Sequence, residues 1–500
     1  MHPDSSAAPE AAHASGTRLL RAGVTAFALV VVGGWLLFNA LNGGLNDVDL
    51  TVYRDGGLIV RHVSPYYDPR DWAPLYGWGG YSALALKFTY TPFAAIAFAV
   101  ASFLPWGAMQ AASVAGNMAA LVAALWFTLG GLGYRDRRVR LGATLLAATV
   151  TFWLQPVIRT IYLGQVNLLL TAMIMWDLCQ PRTTTSGRPR WWKGIATGVA
   201  AGVKLVPLIF VPYLLLTRRF REAVATVAGF AATVVIGFAV LPHDSSTWWL
   251  HGMFLSDGNR TGFRGWAGTQ SLRAVITRLA GSIAGGQDPW LAAAVVALAL
   301  GMLAACLLDR AGYPVPALLA TALTGLLVSP VSWDHHWVWI ALAVAVAGHY
   351  ALAATRPALA RLSAASPGPA GPLTGPPVIE WPRPRRTARW LWGLGGFMIA
   401  VFGAWPDALW ESARTLGNLS LGFLWAQPNT NPVLFATRGD QPWYAEYHWH
   451  GFQLLWGNAY LLAGLVLLAT AIVIGLRLRR IARPGPTATP EPVAETLPAS

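Results

Sequence analysis

Apolar residues fall along this chain in long uninterrupted blocks rather than in strand-like alternation, and each block can be compared with the ~20 residues a helix needs to cross a bilayer. Twelve such blocks lie near 19–41, 90–105, 107–132, 141–159, 164–180, 194–216, 222–241, 290–308, 315–330, 337–355, 390–405 and 454–476. The pattern predicts an all-α polytopic membrane protein, a bundle of about 12 transmembrane segments occupying residues 18–476. Polar tails flank it at 1–17 and 477–500, both expected to be disordered and cytoplasmic, and a Pro- and Arg-rich cytoplasmic linker is expected near 357–392. The block from Leu19 to Leu41 exceeds a signal-peptide core and reads as a retained anchor.

Basic clusters from Arg135 to Arg140, Arg182 to Lys193, Arg218 to Arg221, Arg383 to Arg389 and Arg477 to Arg483 mark the expected cytoplasmic side. The long loops 42–88, 242–289 and 406–453 then face outward. Counting every block as a crossing puts two basic loops on opposite sides of the block 194–216, although both belong inside. Gly198, Gly202, Lys204 and Pro207 interrupt that block, so it is predicted to break into two half-helices that return the chain to its starting side. The short block 90–105, with Pro92 and Pro105, is expected to do the same. Broken backbone at membrane depth needs protein or water beside it, so both breaks predict a lumen.

Composition agrees: 55% of residues are hydrophobic, 12% are charged, and mean hydropathy is +0.46. The net charge of +14 is spread over the loop clusters rather than along one groove, so no nucleic acid partner is expected. Cys179 and Cys306 both lie in apolar blocks and indicate neither a disulfide framework nor a zinc site.

Against this background the polar residues near apolar blocks stand out, because a charge at mid-bilayer costs about 2.5 to 3.5 kcal/mol even on the lenient insertion scale. Asp47 and Asp49 follow the first block; either can flank a reaction centre, and Asp47 also suits a helix N-cap. Arg159 can snorkel to headgroups or grip a phosphate with its planar fork. Lys204 has long apolar stretches on both sides, which favours a place in a cavity. His335 and His336 lack the partners of a zinc motif, leaving an interfacial turn or a phosphate-facing role. The many outward aromatic rings suit an interfacial belt and also suit stacking on sugars.

Six segments occur in a telling order: Val48-Asp49-Leu50-Thr51-Val52-Tyr53, Phe88-Thr89-Tyr90-Thr91-Pro92-Phe93, Gly164-Gln165-Val166-Asn167-Leu168-Leu169, Gly202-Val203-Lys204-Leu205-Val206-Pro207, Ser329 to Trp337, and Gln441-Pro442-Trp443-Tyr444. Together they resemble the polyprenyl-phosphate-mannose-dependent α-1,2-mannosyltransferases of the glycosyltransferase-C superfamily, in particular the actinobacterial enzymes that extend phosphatidylinositol mannosides. Thr269-Gln270-Ser271 departs from the family's usual Asn-Gln-Ser, and Thr91-Pro92 from its Pro-Pro pair.

The resemblance implies a site on the outer face of the cytoplasmic membrane, where Asp49 is the general base that activates the acceptor's mannose 2-hydroxyl. Attack on polyprenyl-phosphate-mannose proceeds with inversion, and one carboxylate suffices because the leaving group is already a phosphate. Arg159, Lys204, His335 and His336 are the expected donor-phosphate ligands. Asp47, Tyr53, Gln165, Asn167, Trp333, Trp337, Trp443 and Tyr444 are the expected sugar or acceptor contacts. No metal or other cofactor is called for, since side chains can neutralise a lone lipid monophosphate. Two other functions fit the pattern: a polyprenyl-phosphate arabinofuranosyltransferase, and a non-catalytic lipid or sugar transporter whose path these polar groups would line.

Overall fold

The computed structural model describes residues 7–42, 45–65, 67–76, 88–184, 186–255, 265–280, 287–355, 384–404, 437–438, 441–442 and 445–481. Among these, six helices are long and apolar enough to cross a membrane: Ser15–Leu37, Trp106–Gly131, Phe220–Val240, Pro289–Arg310, Asp334–Thr355 and Ala459–Arg479. The protein is a multi-pass, helical membrane protein. Its described strands are two residues each, Thr437–Arg438 paired antiparallel with Gln441–Pro442.

The expected count of about 12 full spans is not reached among the described residues. Several predicted spans are shorter pieces: Pro92–Ala101, Arg137–Thr151, Gln155–Tyr162, Asn167–Leu178 and Pro314–Val328. Gln155–Tyr162 and Asn167–Leu178 meet at 116° and count together as at most one further span. The predicted span 141–159 instead stops at Thr151, and the extended Leu154 opens a new helix, Gln155–Tyr162, with Pro156 in its first turn. Helix also begins earlier than expected, at Ala7, and the 19-residue helix Pro384–Phe402 takes up part of the expected linker. Residues 356–383 and most of the loop 406–453 lie outside the described residues.

The break at Lys204 is present as expected. Helix Ile195–Val203 ends there, Lys204 itself is extended (φ −145°, ψ 122°), and the chain resumes through Val206–Ile209 into Phe210–Leu216. Ile195–Val203 packs tightly on Phe220–Val240: a Cβ on Gly198 would stand 2.1 Å from the Thr226 carbonyl oxygen, and one on Gly202 2.2 Å from Thr233 Oγ1. Buried Asp177 accepts from the Gly194 and Thr197 N–H groups at 2.7 and 2.9 Å, supplying partners for donors that a helix start leaves unmet. Arg182 meets Glu222 at 3.2 Å and Lys193 Nζ lies 3.9 Å from the same carboxylate. Both basic loops therefore lie at one end of the bundle, the arrangement that a segment leaving and returning to one side requires.

Candidate active site

The site is assembled at the opposite end, where the start of helix Val48–Val60 docks on the turn that closes Gln155–Tyr162. The N–H groups of Asp49 and Leu50 both donate to the Leu163 carbonyl at 3.1 Å, and the Asp47 N–H donates to Tyr162 at 3.1 Å. Gly164 makes this approach feasible. It sits at φ +71°, and a Cβ there would lie 2.4 Å from Leu50 Cβ. The docking fixes Asp49 in the first helical turn, partly buried, one turn before Tyr53 on the same helix.

Asp47 occupies the N-cap position, as its residue type suggested, but its side chain caps nothing. It is held in the left-handed region at φ 50°, and one carboxylate oxygen accepts from Gln110 Nε2 at 2.5 Å. Burial raises its pKa, and the Gln110 hydrogen bond partly offsets the rise. Gln110, on the helix Trp106–Gly131, thus ties Asp47 to a spanning helix.

Tyr53, Tyr90 and Gln165 form a closed group. Tyr53 donates to Gln165 Oε1 at 2.6 Å, while the Tyr90 hydroxyl lies 2.9 Å from that of Tyr53 and accepts from Gln165 Nε2 at 3.1 Å. Tyr53 is also stacked on Phe98 with ring centroids 4.1 Å apart. Both polar ends of the Gln165 amide are therefore engaged within the protein, so it braces the site wall.

Lys204 reaches across the break with Nζ 2.8 Å from Asn167 Oδ1 and 3.0 Å from His336 Nε2, and 5.7 Å from the centre of the Tyr90 ring. Asn167 in turn donates from Nδ2 to the His335 carbonyl at 2.9 Å, which couples the turn at 163–167 to the histidine pair. Lys204, His336, Tyr90, Trp333 and Trp248 line one cavity of about 380 Å³, with a smaller extension of about 50 Å³ past Asn167 and Phe210. Two cationic or hydrogen-bonding side chains facing such a space can hold an anion, and the aromatic walls can cover an apolar or sugar surface.

Three expected site residues stand elsewhere. Arg159 pairs with Asp334 at 3.0 Å, so its guanidinium is engaged by a carboxylate that is 0% exposed. The same carboxylate accepts from Gln155 Nε2 at 2.7 Å and from the His335 N–H at 2.8 Å, with His335 Nδ1 at 3.2 Å. His335 is thus oriented by Asp334, while His336 faces the cavity. Trp337 is fully buried and packs on Phe402 and Tyr460 at centroid distances of 5.7 and 6.0 Å, which makes it a core residue and corrects its assignment as a stacking platform. Trp443 and Tyr444 lie outside the described residues.

Sequence reasoning gave no role to Asp334, Gln155, Tyr90 or Gln110, and took Trp248 only as one of many rings suited to an interfacial belt or to stacking on sugars. An acid between two apolar blocks is itself a signal at Asp334, although its partner is not marked. Nothing local marks Gln110.

The model of glycosyltransferase family 87 matches residues 88–330. The chain is 33% identical over 379 residues to a Mycobacterium tuberculosis polyprenol-phosphate-mannose-dependent α-(1-2)-phosphatidylinositol mannoside mannosyltransferase, covering 72% of this chain and 83% of that protein. It is 32% identical over 338 residues to the Mycolicibacterium smegmatis protein of the same description, covering 63% and 73%. A Mycobacterium tuberculosis relative named for phosphatidylinositol pentamannoside is 34% identical over 300 residues, covering 59% of this chain and 65% of its own length. No solved structure matches the chain. The family model over residues 88–330, together with 33% identity to a relative aligned over 72% of this chain and 83% of its own length, makes this protein a member of glycosyltransferase family 87.

Proposed function

We propose that this enzyme transfers mannose from polyprenyl-phosphate-mannose to the 2-hydroxyl of a mannose on a phosphatidylinositol mannoside or related lipoglycan, at the outer face of the cytoplasmic membrane. The donor and acceptor classes come from the names of the relatives. The observation that carries the chemistry is the Lys204 ammonium 3.0 Å from His336 on one cavity wall, with the helix that bears Asp49 joined to that cavity through the hydrogen bond between Tyr53 and Tyr90.

In this reading Asp49 accepts the proton of the acceptor hydroxyl as that oxygen attacks the anomeric carbon. The bond from that carbon to the phosphate oxygen breaks, its electron pair stays on the phosphate, and the configuration inverts. Lys204 and His336 hold the leaving phosphate at the cavity wall, where the buried imidazole and its neighbours make such contacts worth more than in solution. Asn167 aims the Lys204 ammonium. Arg159 and His335 act through Asp334, which fixes the segment carrying His336. Trp333 covers one side of the bound glycan or lipid, and Tyr53, Tyr90 and Gln165 form the wall beneath Asp49. Asp47 steadies the same helix start through Gln110.

The test is transfer from radiolabelled polyprenyl-phosphate-mannose to a phosphatidylinositol mannoside extract by the reconstituted protein. A labelled lipid that loses its label to an α-1,2-specific mannosidase is the expected product. Use of an arabinofuranosyl donor instead, or movement of label between vesicles without a new lipid, would overturn the assignment.

A further inference from the structure

Arg278, on the helix Leu272–Ala280, has no place in the chemistry just described, yet it is 2% exposed and surrounded by acceptors. Its Nη1 donates to the carbonyls of Gly265, Trp266 and Thr269 at 3.2, 3.0 and 3.0 Å, and its Nε to Asn458 Oδ1 at 3.0 Å. An arginine does not shed its charge, so burying it is tolerable only where its fork of donors is met in this way. The nearby carboxylate of Glu446 accepts instead from the Ala267 N–H at 3.1 Å. Gln270 closes the same turn from a third side, with Nε2 donating to Ala267 at 2.7 Å and Gly457 at 2.8 Å.

The far edge of this turn is paired with the site. The Gln270 N–H donates to Ser332 at 2.6 Å, the Asp334 N–H donates to Gly268 at 2.7 Å, and Thr269 lies opposite Trp333 in an antiparallel bridge. The Trp333 N–H in turn lies 3.3 Å from His336 Nδ1. Three of the carbonyls around the guanidinium therefore belong to the turn that places Trp333 and Asp334, and Trp333 and His336 both line the cavity.

We propose that Arg278 is a positioning residue for transfer: its buried guanidinium sets the turn at 265–270 as the template against which Trp333, Asp334 and, through them, His336 are placed on the cavity wall. The proposal rests on reading that cavity as the transfer site. A neutral side chain of similar length does not reproduce the effect, because three carbonyls converge on one donor nitrogen and a fourth acceptor lies on the other side of the fork.

Arg278→Lys keeps the charge and loses the fork. In the reconstituted full-length protein it is expected to raise the donor KM about tenfold, the size of one lost charge-assisted hydrogen bond, with a smaller change in kcat. A variant that had merely lost folded protein would lower kcat at constant KM. Arg278→Lys combined with Trp333→Phe is expected to be clearly non-additive. Independently of activity, the amides of Gln270 and Asp334 should exchange with solvent deuterium faster in Arg278→Lys, both together. Unchanged KM with an active wild type, or unchanged exchange at 332–334, would overturn the proposal. If the wild type transfers no mannose, the functional reading falls and the exchange measurement alone decides the role of Arg278.

Discussion

A side chain's chemistry is visible in the sequence, but its direction is not, and several assignments turn on that difference. Lys204 was legible as a site residue because a lone ammonium among apolar neighbours is costly to place anywhere but a cavity. Trp337 has the same residue type and neighbourhood as Trp333, yet one faces the core and the other the cavity. Removing the Trp337 ring should therefore cost stability rather than affinity: Trp337→Ala is expected to lose about 3 to 5 kcal/mol, measured as a lower unfolding midpoint in detergent. The surviving folded fraction should keep the wild-type KM. An unchanged midpoint with a raised acceptor KM would return Trp337 to the substrate-binding surface. Arg159 shows the converse: its partner Asp334 was in plain view, but the pair joins segments far apart in the chain, the shortest link between them, Asn167 to His335, spanning 168 positions, so only the fold reveals it.

At the scale of elements, interruptions do the positioning. The break at Lys204 was readable from Gly202 and Pro207 inside one apolar block. The 116° bend at 163–166 was not, because Gly164 and Gln165 stand at the junction of two blocks and look like an ordinary connection between spans. That bend carries more of the site than the other, since the Leu163 carbonyl receives the first donors of the helix bearing Asp49. Gly164→Ala puts a methyl 2.4 Å from Leu50 Cβ and forces a side-chain residue into left-handed backbone. It should displace Asp49 while leaving Lys204 and His336 in place. The expected result is transfer reduced at least about tenfold with binding of a short prenyl phosphate nearly unchanged. Equal loss of both would mean that the variant disturbs the whole cavity.

Across the whole molecule, segments far apart in sequence meet beside the cavity. Leu75 donates its N–H to Asp244 at 2.9 Å, Trp72 stacks on His243 with centroids 3.8 Å apart, and Tyr76 stacks on Trp248, which lines the cavity. Burial pushes the Asp244 carboxyl up to about 7, against the opposing pull of its hydrogen bond from Leu75. A raised folded-state pKa means that the folded form holds the proton more tightly. The stability contributed by burying this carboxyl in its neutral form is therefore full below the unfolded carboxyl value of about 4 and is lost as pH rises from there through the folded value. Hydrogen exchange in residues 67–76 should accelerate between about pH 4 and 7 beyond its intrinsic pH dependence, and Asp244→Asn should remove the excess. A pH-independent excess, or one that survives in the variant, would rule out Asp244 as its source.

The central claim joins these scales, because a single carboxylate, set by one turn on the helix that also carries Tyr53, is proposed to make the only proton transfer in the reaction. Asp49→Asn keeps the shape and hydrogen-bonding capacity of the side chain while removing its basicity. The most direct measurement is single-turnover mannose transfer by the purified, reconstituted Asp49→Asn protein beside the wild type, with prenyl phosphate binding measured on both. Transfer lost with binding retained is the expected result. Transfer at the wild-type rate by the correctly folded variant would take Asp49 out of the chemistry and, with it, the proposed mechanism.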